Sequence, residues 1–391
     1  MKFEELEFKI NKTLKEEYPQ PEKVLHALGK LSDNVKSGYY DSFIKAIGEK
    51  FFTGGIKWGE TYRETDSQIS KVLKLISEDT LRQRLKNELP DASDRVPLGV
   101  ILHIGAGNMP GLGAFSVIEG LLSGNINVLK PAASDSIISG FILRELVRAE
   151  PELKPYIYMF DIPSESADVE RKIKKLISLS DAVSIWGGDE AIRFVRNLAG
   201  PDKRLIEWGH KFSFVCITKR GLKDKASLQG LLEHISKTKM RLCSSCQAVY
   251  IESETGDELY KAVQYINSIC KYNEDTLGQA AADTLLNYTD RLFSELRGDD
   301  GAPGLNLLGC PVKGFDRESL FDELRSLPYS LQTAGLICGD DERAGISQLL
   351  IKAGAHRVRK PADMSEYIPG EYHDGRAPLY EYTRRAEIQS F

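Results

Sequence analysis

Two cysteines three residues apart, Cys243 and Cys246, lie in the polar stretch Arg241-Leu242-Cys243-Ser244-Ser245-Cys246-Gln247. A helical run, Leu228 to Met240, precedes them, and a strand-like run, Ala248 to Ile251, follows. A thiol between a helix end and a strand start sits on rigid flanks and stays accessible. That suits a nucleophile, because reactivity belongs to an accessible thiolate tuned by its environment. The alternative is a pair of core cysteines, since free cysteine often behaves as a small buried hydrophobe. The polar neighbours Arg241, Ser244, Ser245 and Gln247 weigh against it. The pair also spells Cys-x-x-Cys, a redox couple or half of a zinc site. The chain has no second Cys-x-x-Cys, and His234 lies inside the helical run at no zinc-motif spacing, so no metal is expected. A redox sensor is the competing reading from a different class.

The elements that must position such chemistry read as alternating strands and helices. Strand-like runs span Leu98 to Ile104, Ile126 to Leu129, Tyr156 to Phe160, Ala182 to Trp186 and Arg204 to Ile206. Helical runs span Leu112 to Leu122, Ile137 to Ala149, Val169 to Leu179 and Asp189 to Leu198. This alternation predicts a parallel, doubly wound sheet covered by helices on both faces. Ligands in such sheets bind at the carboxyl ends of the strands. Asn108, Lys130, Gly187-Gly188 and Glu207 each fall just after a strand, which points to one shared site. The loop Gly105-Ala106-Gly107-Asn108-Met109-Pro110-Gly111 misses the Gly-x-Gly-x-x-Gly fingerprint by one residue, and a tight strand-to-helix turn explains it as well. Gly187-Gly188 opens a helix whose N-terminus suits a pyrophosphate. Trp186 beside it joins the cofactor-binding candidates and also fits core packing. After Lys211 the alternation restarts through Phe214 to Thr218, Leu228 to Met240, Ala248 to Ile251 and Asp257 to Lys271. Further strands are expected near Gly309 to Val312 and Gly335 to Cys338.

The chain therefore divides into a helical N-terminal segment (1–94), a nucleotide-binding Rossmann-like domain (95–211), a catalytic domain carrying the nucleophile (212–360) and a C-terminal tail (361–391). The N-terminal helices, Glu4 to Glu17, Pro21 to Val35, Tyr40 to Phe52 and Thr65 to Leu89, carry no catalytic signal and read as a packing layer or cap. At 41% hydrophobic and 28% charged residues the composition is that of a globular protein. A net charge of -5 argues against a general nucleic-acid partner. No apolar run is long enough to span a bilayer, and the charged start Met1-Lys2-Phe3-Glu4-Glu5 lacks a signal core. Six cysteines are too sparse for a disulfide framework, so a reducing cytoplasm is the expected home.

Four windows, in order, resemble the aldehyde dehydrogenase superfamily. Pro97-Leu98-Gly99-Val100-Ile101 leading to Asn108-Met109-Pro110 is similar to its strand and asparagine turn. Ser123-Gly124-Asn125-Ile126-Asn127-Val128-Leu129-Lys130-Pro131-Ala132 resembles its strand ending in a cofactor-binding lysine. Glu207-Trp208-Gly209-His210-Lys211 resembles its Glu-Leu-Gly-Gly-Lys window, and Cys243 with Val249-Tyr250-Ile251 its nucleophile and trailing strand. Within the superfamily the chain looks most like the LuxC-type fatty acyl reductases. The cues are the Gly105–Gly111 loop, the Cys-Ser-Ser sequence, the helical N-terminal segment and His373-Asp374-Gly375. A clear Glu-Ile-Phe-Gly-Pro window is missing, which favours acyl reduction over aldehyde oxidation.

The resemblance implies an α/β, aldehyde dehydrogenase-like fold with two doubly wound domains. It implies NADPH-dependent reduction of acyl-CoA or another acyl thioester to an aldehyde, with NADH also possible. Cys243 rather than Cys246 has the family's offset to the Val-Tyr-Ile strand and would carry the acyl group. The Asn108 amide and the Cys243 backbone N–H would form the oxyanion hole, each donor worth on the order of 3 kcal/mol. Glu207 would tune the thiol or relay a proton. Lys130, with Pro131 and Ala132, would meet the cofactor ribose. Ala133 stands where an acidic residue would repel a 2′-phosphate, so NADPH is permitted. The resemblance also implies a homo-oligomer paired through a strand within Leu379 to Ile388, and an acyl-activating partner enzyme. The alternatives are a reductase of acyl phosphate or short acyl-CoA, and a non-enzymatic nucleotide-binding scaffold.

Overall fold

The computed structural model describes residues 3–42, 76–90, 94–107, 109–163, 166–240, 242–269, 304–327, 330–368 and 370–387, with single positions near 282–289. Residues 43–52 of the expected Tyr40 to Phe52 helix, residues 65–75 of the expected Thr65 to Leu89 helix, and Asn108 lie outside these residues. The chain forms two units, Met1–Gly209 with Tyr367–Phe391, and His210–Glu366. The expected boundaries were 211 and 360, and the expected tail belongs to the first unit from Tyr367 onward.

In the first unit a parallel sheet runs in the order β4-β3-β2-β5-β6, formed by β2 (Val100–Ile104), β3 (Ile126–Lys130), β4 (Ile157–Met159), β5 (Ala182–Trp186) and β6 (Arg204–Trp208). Strand residues alternate between two cores. Ile101, Leu129, Ala182 and Ile206 pack under α2 (Pro21–Lys36), α4 (Leu112–Leu122) and α5 (Ser136–Ala149). Val100, Leu102, Ile104, Val128, Val183 and Ile185 pack under α1 (Phe3–Thr13), α6 (Val169–Ser178) and α7 (Asp189–Leu198). α4 is buried over its whole length, which its almost unbroken apolar sequence allows. The N-terminal helices are part of the sheet's own packing: α1 serves one face through Leu6 and Ile10, α2 the other through Val24, Leu25 and Leu28.

The C-terminal segment returns to this unit. β13 (Thr383–Arg385) pairs antiparallel with β1 (Arg95–Pro97), joining Arg95 to Arg385 and Pro97 to Thr383. Over these residues the strand expected to be exposed for oligomerisation is paired within its own chain. Arg84 of α3 (Glu78–Glu88) is 2% exposed and bonds Glu88 and Glu119 at 2.7 Å each. Burial lifts the Glu119 carboxyl to about 7 despite Arg84. Glu88 also accepts the Leu379 N–H at 2.8 Å, so one buried ionic cluster ties α3 and α4 to α12 (Pro378–Glu381).

In the second unit the order is β12-β11-β7-β8-β10-β9, parallel except for β9. The strands are β7 (Lys211–Ile217), β8 (Val249–Glu252), β9 (Leu305–Leu307), β10 (Cys310–Phe315), β11 (Ser330–Ile337) and β12 (Arg357–Arg359). α8 (Lys225–Thr238) and α9 (Gly256–Ile269) cover one face, and α10 (Leu320–Ser326) and α11 (Arg343–Ala353) the other.

Candidate active site

The loop carrying Cys243 begins with a forced turn. After α8 the chain passes through Lys239 (φ 46°) and Met240 (φ 56°), both left-handed. Non-glycine residues adopt this region at a cost on the order of 1 kcal/mol each. The turn delivers the loop Leu242–Ser245, closed on itself by Ser245 N–H to the Leu242 carbonyl (3.0 Å) and Leu242 N–H to Ser245 Oγ (2.9 Å). Ser213 on β7 fastens the loop to the sheet. Its hydroxyl donates to the Cys243 carbonyl at 2.6 Å and accepts the Thr333 N–H at 3.1 Å. Its carbonyl accepts the Gln247 N–H at 2.9 Å.

Cys243 is part-exposed, and Gln332 Nε2 donates to its sulfur at 3.4 Å. Sequence reading missed Gln332, which lies 89 residues away on β11. The pairing of β11 with β7 slips there: Leu331 faces Phe212, but Ala334 faces Phe214. The extra residue is a bulge, a device that re-aims side chains.

Cys246 has a different setting. It is buried, its N–H donates to His234 Nε2 at 3.2 Å, and its thiol donates to the Ala248 carbonyl at 3.3 Å. Its sulfur stands 3.8 Å from that of Cys310, also buried. Burial, with Cys310 beside it, pushes the Cys246 thiol well above its ordinary range. No group of metal ligands occurs among the described residues.

The first unit gathers Lys130, Pro131, Ala132, Gly187, Gly188 and Glu207 at the carboxyl ends of its strands. The glycine-rich loop there is shaped by its own packing. A Cβ on Gly107 would meet Ser134 Oγ at 2.2 Å, and Gly111 is left-handed at φ 74°. The N-terminus of α4 is already occupied by a carboxylate: Asp135 accepts the N–H groups of Gly111 (2.5 Å) and Gly113 (3.0 Å) and the Ser139 hydroxyl (2.6 Å). Burial raises Asp135 to about 6 against those donors. Among the described residues no carboxylate fills the N-terminus of α7 in this way, and a Cβ on Gly188 would meet nothing within 4 Å. The Lys130 ammonium is half-buried, which lowers its pKa, with Asp161 opposing.

Both Glu207 carboxylate oxygens are held by Arg196 of α7. Trp186 is 6% exposed, stacks on Trp208 at 5.2 Å and donates to Ser116 Oγ at 3.0 Å, so its ring belongs to the core rather than to a ligand surface. His373 packs against both tryptophans at 5.0 and 5.2 Å. It opens a tight turn with reciprocal 2.9 Å backbone bonds to Arg376, and Arg376 in turn donates to the Glu207 carbonyl at 3.1 Å.

Comparison with known proteins agrees with this architecture. The benzaldehyde dehydrogenase of Corynebacterium glutamicum matches with a TM-score of 0.63 and 15% identity over 98% of this chain and 87% of its own. An E. coli NADP dependent enzyme matches at 0.65 and 14%, over 98% and 88%. These likenesses show the fold. A long-chain acyl-protein thioester reductase of Photobacterium leiognathi is 23% identical over 73% of this chain and 63% of its own length. That of Aliivibrio fischeri is 27% identical over 57% and 47%. The chain thus spans about half to two thirds of the length of these relatives. The sequence model of the acyl-CoA reductase (LuxC) family matches residues 66–273 and 311–385. The chain belongs to the LuxC family of acyl-CoA reductases.

Proposed function

We propose that the protein reduces an acyl thioester to an aldehyde through an acyl-enzyme on Cys243. One observation carries this reading beyond family membership. Of the two motif cysteines, Cys243 is part-exposed beside an amide donor, whereas Cys246 is sealed in the core with a raised pKa. The Cys243 thiolate attacks the acyl carbon and expels the donor thiolate, which carries away the bonding pair. The Cys243 backbone N–H would donate to the developing oxyanion. Arg196 engages both Glu207 oxygens, which leaves that carboxylate poorly placed to activate water. This suits a reductase, whose acyl-enzyme must outlast hydrolysis.

A nicotinamide cofactor supplies the hydride when bound. Gly188 and the first residues of α7 would hold its pyrophosphate through backbone N–H groups, while the Gly187 N–H is engaged by the Trp208 carbonyl at 3.3 Å. Asp189 and Glu190 in the same turn offset part of the helix dipole, so the N–H groups carry the contact. Lys130, flanked by Pro131 and Ala132, would meet the ribose, and the uncharged Ala133 would permit the 2′-phosphate of NADPH. The donor would be a long-chain acyl thioester, delivered by an acyl-activating partner enzyme. Incubation with labelled long-chain acyl-CoA should leave label on the wild-type protein, and NADPH should then discharge it as aldehyde. Wild-type labelling of Cys243→Ala would overturn the assignment.

A further inference from the structure

We infer that Gln332 is a positioning residue that holds the Cys243 sulfur as a thiolate and steadies it again as leaving group. The inference rests on Cys243 being the acyl-accepting nucleophile. Four observations carry it. Gln332 is 2% exposed, so its amide meets protein groups instead of bulk water. Its Nε2 stands 3.4 Å from Cys243 Sγ, within reach of an N–H···S bond. It occupies the bulge between Leu331 and Ala334, where β11 departs from register with β7. The adjacent Thr333 N–H bonds Ser213 Oγ, the group that fixes the Cys243 carbonyl. Thiol and amide are therefore anchored to one another through β7.

The orientation of the amide follows from its neighbours. The Ser213 hydroxyl has one proton, committed to the Cys243 carbonyl at 2.6 Å. Gln332 Oε1 lies 3.4 Å from that hydroxyl, which contributes little. The Nε2 end stands toward the sulfur. A carbonyl oxygen facing a thiolate repels it, whereas an N–H stabilises it, so the charged form selects the amine end. The same bond acts twice. Before acylation it favours the nucleophile. After reduction, the thiohemiacetal O–H loses its proton, the carbon–sulfur bond breaks and its electron pair returns to sulfur. A donor at the sulfur favours that collapse to aldehyde.

The test is alkylation of Cys243 by iodoacetamide across pH 5 to 10, read by mass spectrometry, in full-length wild type, Gln332→Met and Gln332→Glu. Met matches the volume and lacks the donor; Glu keeps the shape and adds a charge. The alkylation midpoint should move up about one pH unit in Gln332→Met and further in Gln332→Glu, with about a tenfold slower reaction at pH 7. The plateau rate at high pH should stay within about twofold of wild type, because a thiolate, once formed, is equally accessible. A purely structural residue would lower the melting temperature and leave the midpoint in place. Midpoints that coincide in all three proteins overturn the inference. Failure of the nucleophile assignment is distinct: it appears as acyl labelling of Cys243→Ala, whatever Gln332 does.

Discussion

Cys243 and Cys246 share one loop, yet they differ in each property that governs thiol chemistry. The sulfur of Cys243 is part-exposed and accepts an N–H from Gln332. The thiol of Cys246 is buried, donates to the Ala248 carbonyl and lies against Cys310. The first unit repeats this contrast with two helix N-termini on one sheet edge. α4, behind the glycine-rich loop, is filled by Asp135, while no side chain among the described residues caps α7, behind the plainer Gly187-Gly188. In both pairs motif spacing nominates two candidates, and the groups that satisfy them decide between the two.

The largest effect should separate the thiols. Cys243→Ser should cut acyl transfer at least a thousandfold, since a serine hydroxyl there is a far weaker nucleophile than a thiolate. Cys246→Ala should stay within about threefold of wild type and cost about 1 kcal/mol of stability through the small cavity and lost hydrogen bond. The comparison breaks if Cys246→Ala also loses acylation while its melting curve stays intact, for the pair would then act as a unit.

Next come the helix termini. Asp135→Ala strips the acceptor from two buried N–H groups and the Ser139 hydroxyl, and should destabilise by about 3 kcal/mol in urea unfolding. The native carboxyl, near 6, lies above its unfolded value. At this group the native state therefore binds more protons between about pH 4 and 6, so Asp135 contributes stability that is lost as pH rises through that window. The variant should lose that slope. Gly188→Val should leave stability nearly unchanged and weaken nicotinamide cofactor binding about tenfold by titration calorimetry, because its side chain enters open space at the α7 N-terminus. Equal affinity in wild type and variant would place the pyrophosphate elsewhere.

Much of this architecture was legible because it is local. The apolar runs at Ala182–Trp186 and Ile126–Lys130 are short and bounded by polar or glycine residues, so their strands emerged within a residue or two of their observed ends. Glu207 and Lys130 were placed at strand ends for the same reason. The rest depends on partners far along the chain. Gln332 lies on a strand whose register slips, and no periodicity reveals a bulge. Arg196 is eleven residues from Glu207, but only a helix lying back on the sheet brings them together. Asp135 reads as an ordinary helix-start residue until its carboxylate is seen on a different helix, α4. The C-terminal Tyr382, in a charged and aromatic tail, resembles a surface residue, yet it is buried and bonds Ser116 and Ser184.

The smallest effect bears on how the Cys243 loop is aimed. Lys239 and Met240 turn the chain out of α8 through left-handed conformations that glycine adopts without steric cost. Cys246, anchored by His234 of α8 itself, depends little on that turn. Cys243 depends on it more, because Ser213 and Gln332 meet it from the sheet while the turn sets its approach. Lys239→Gly removes a penalty on the order of 1 kcal/mol and adds unfolded-state entropy of similar size, so net stability should rise by about 0.5 kcal/mol at most. Glycine also loosens the hinge. Alkylation of Cys243 at pH 7 should slow about twofold as the sulfur spends less time against Gln332, while Cys246 stays protected. Faster alkylation of Cys243 in this variant would mean that the strained turn restrains the thiol instead of presenting it.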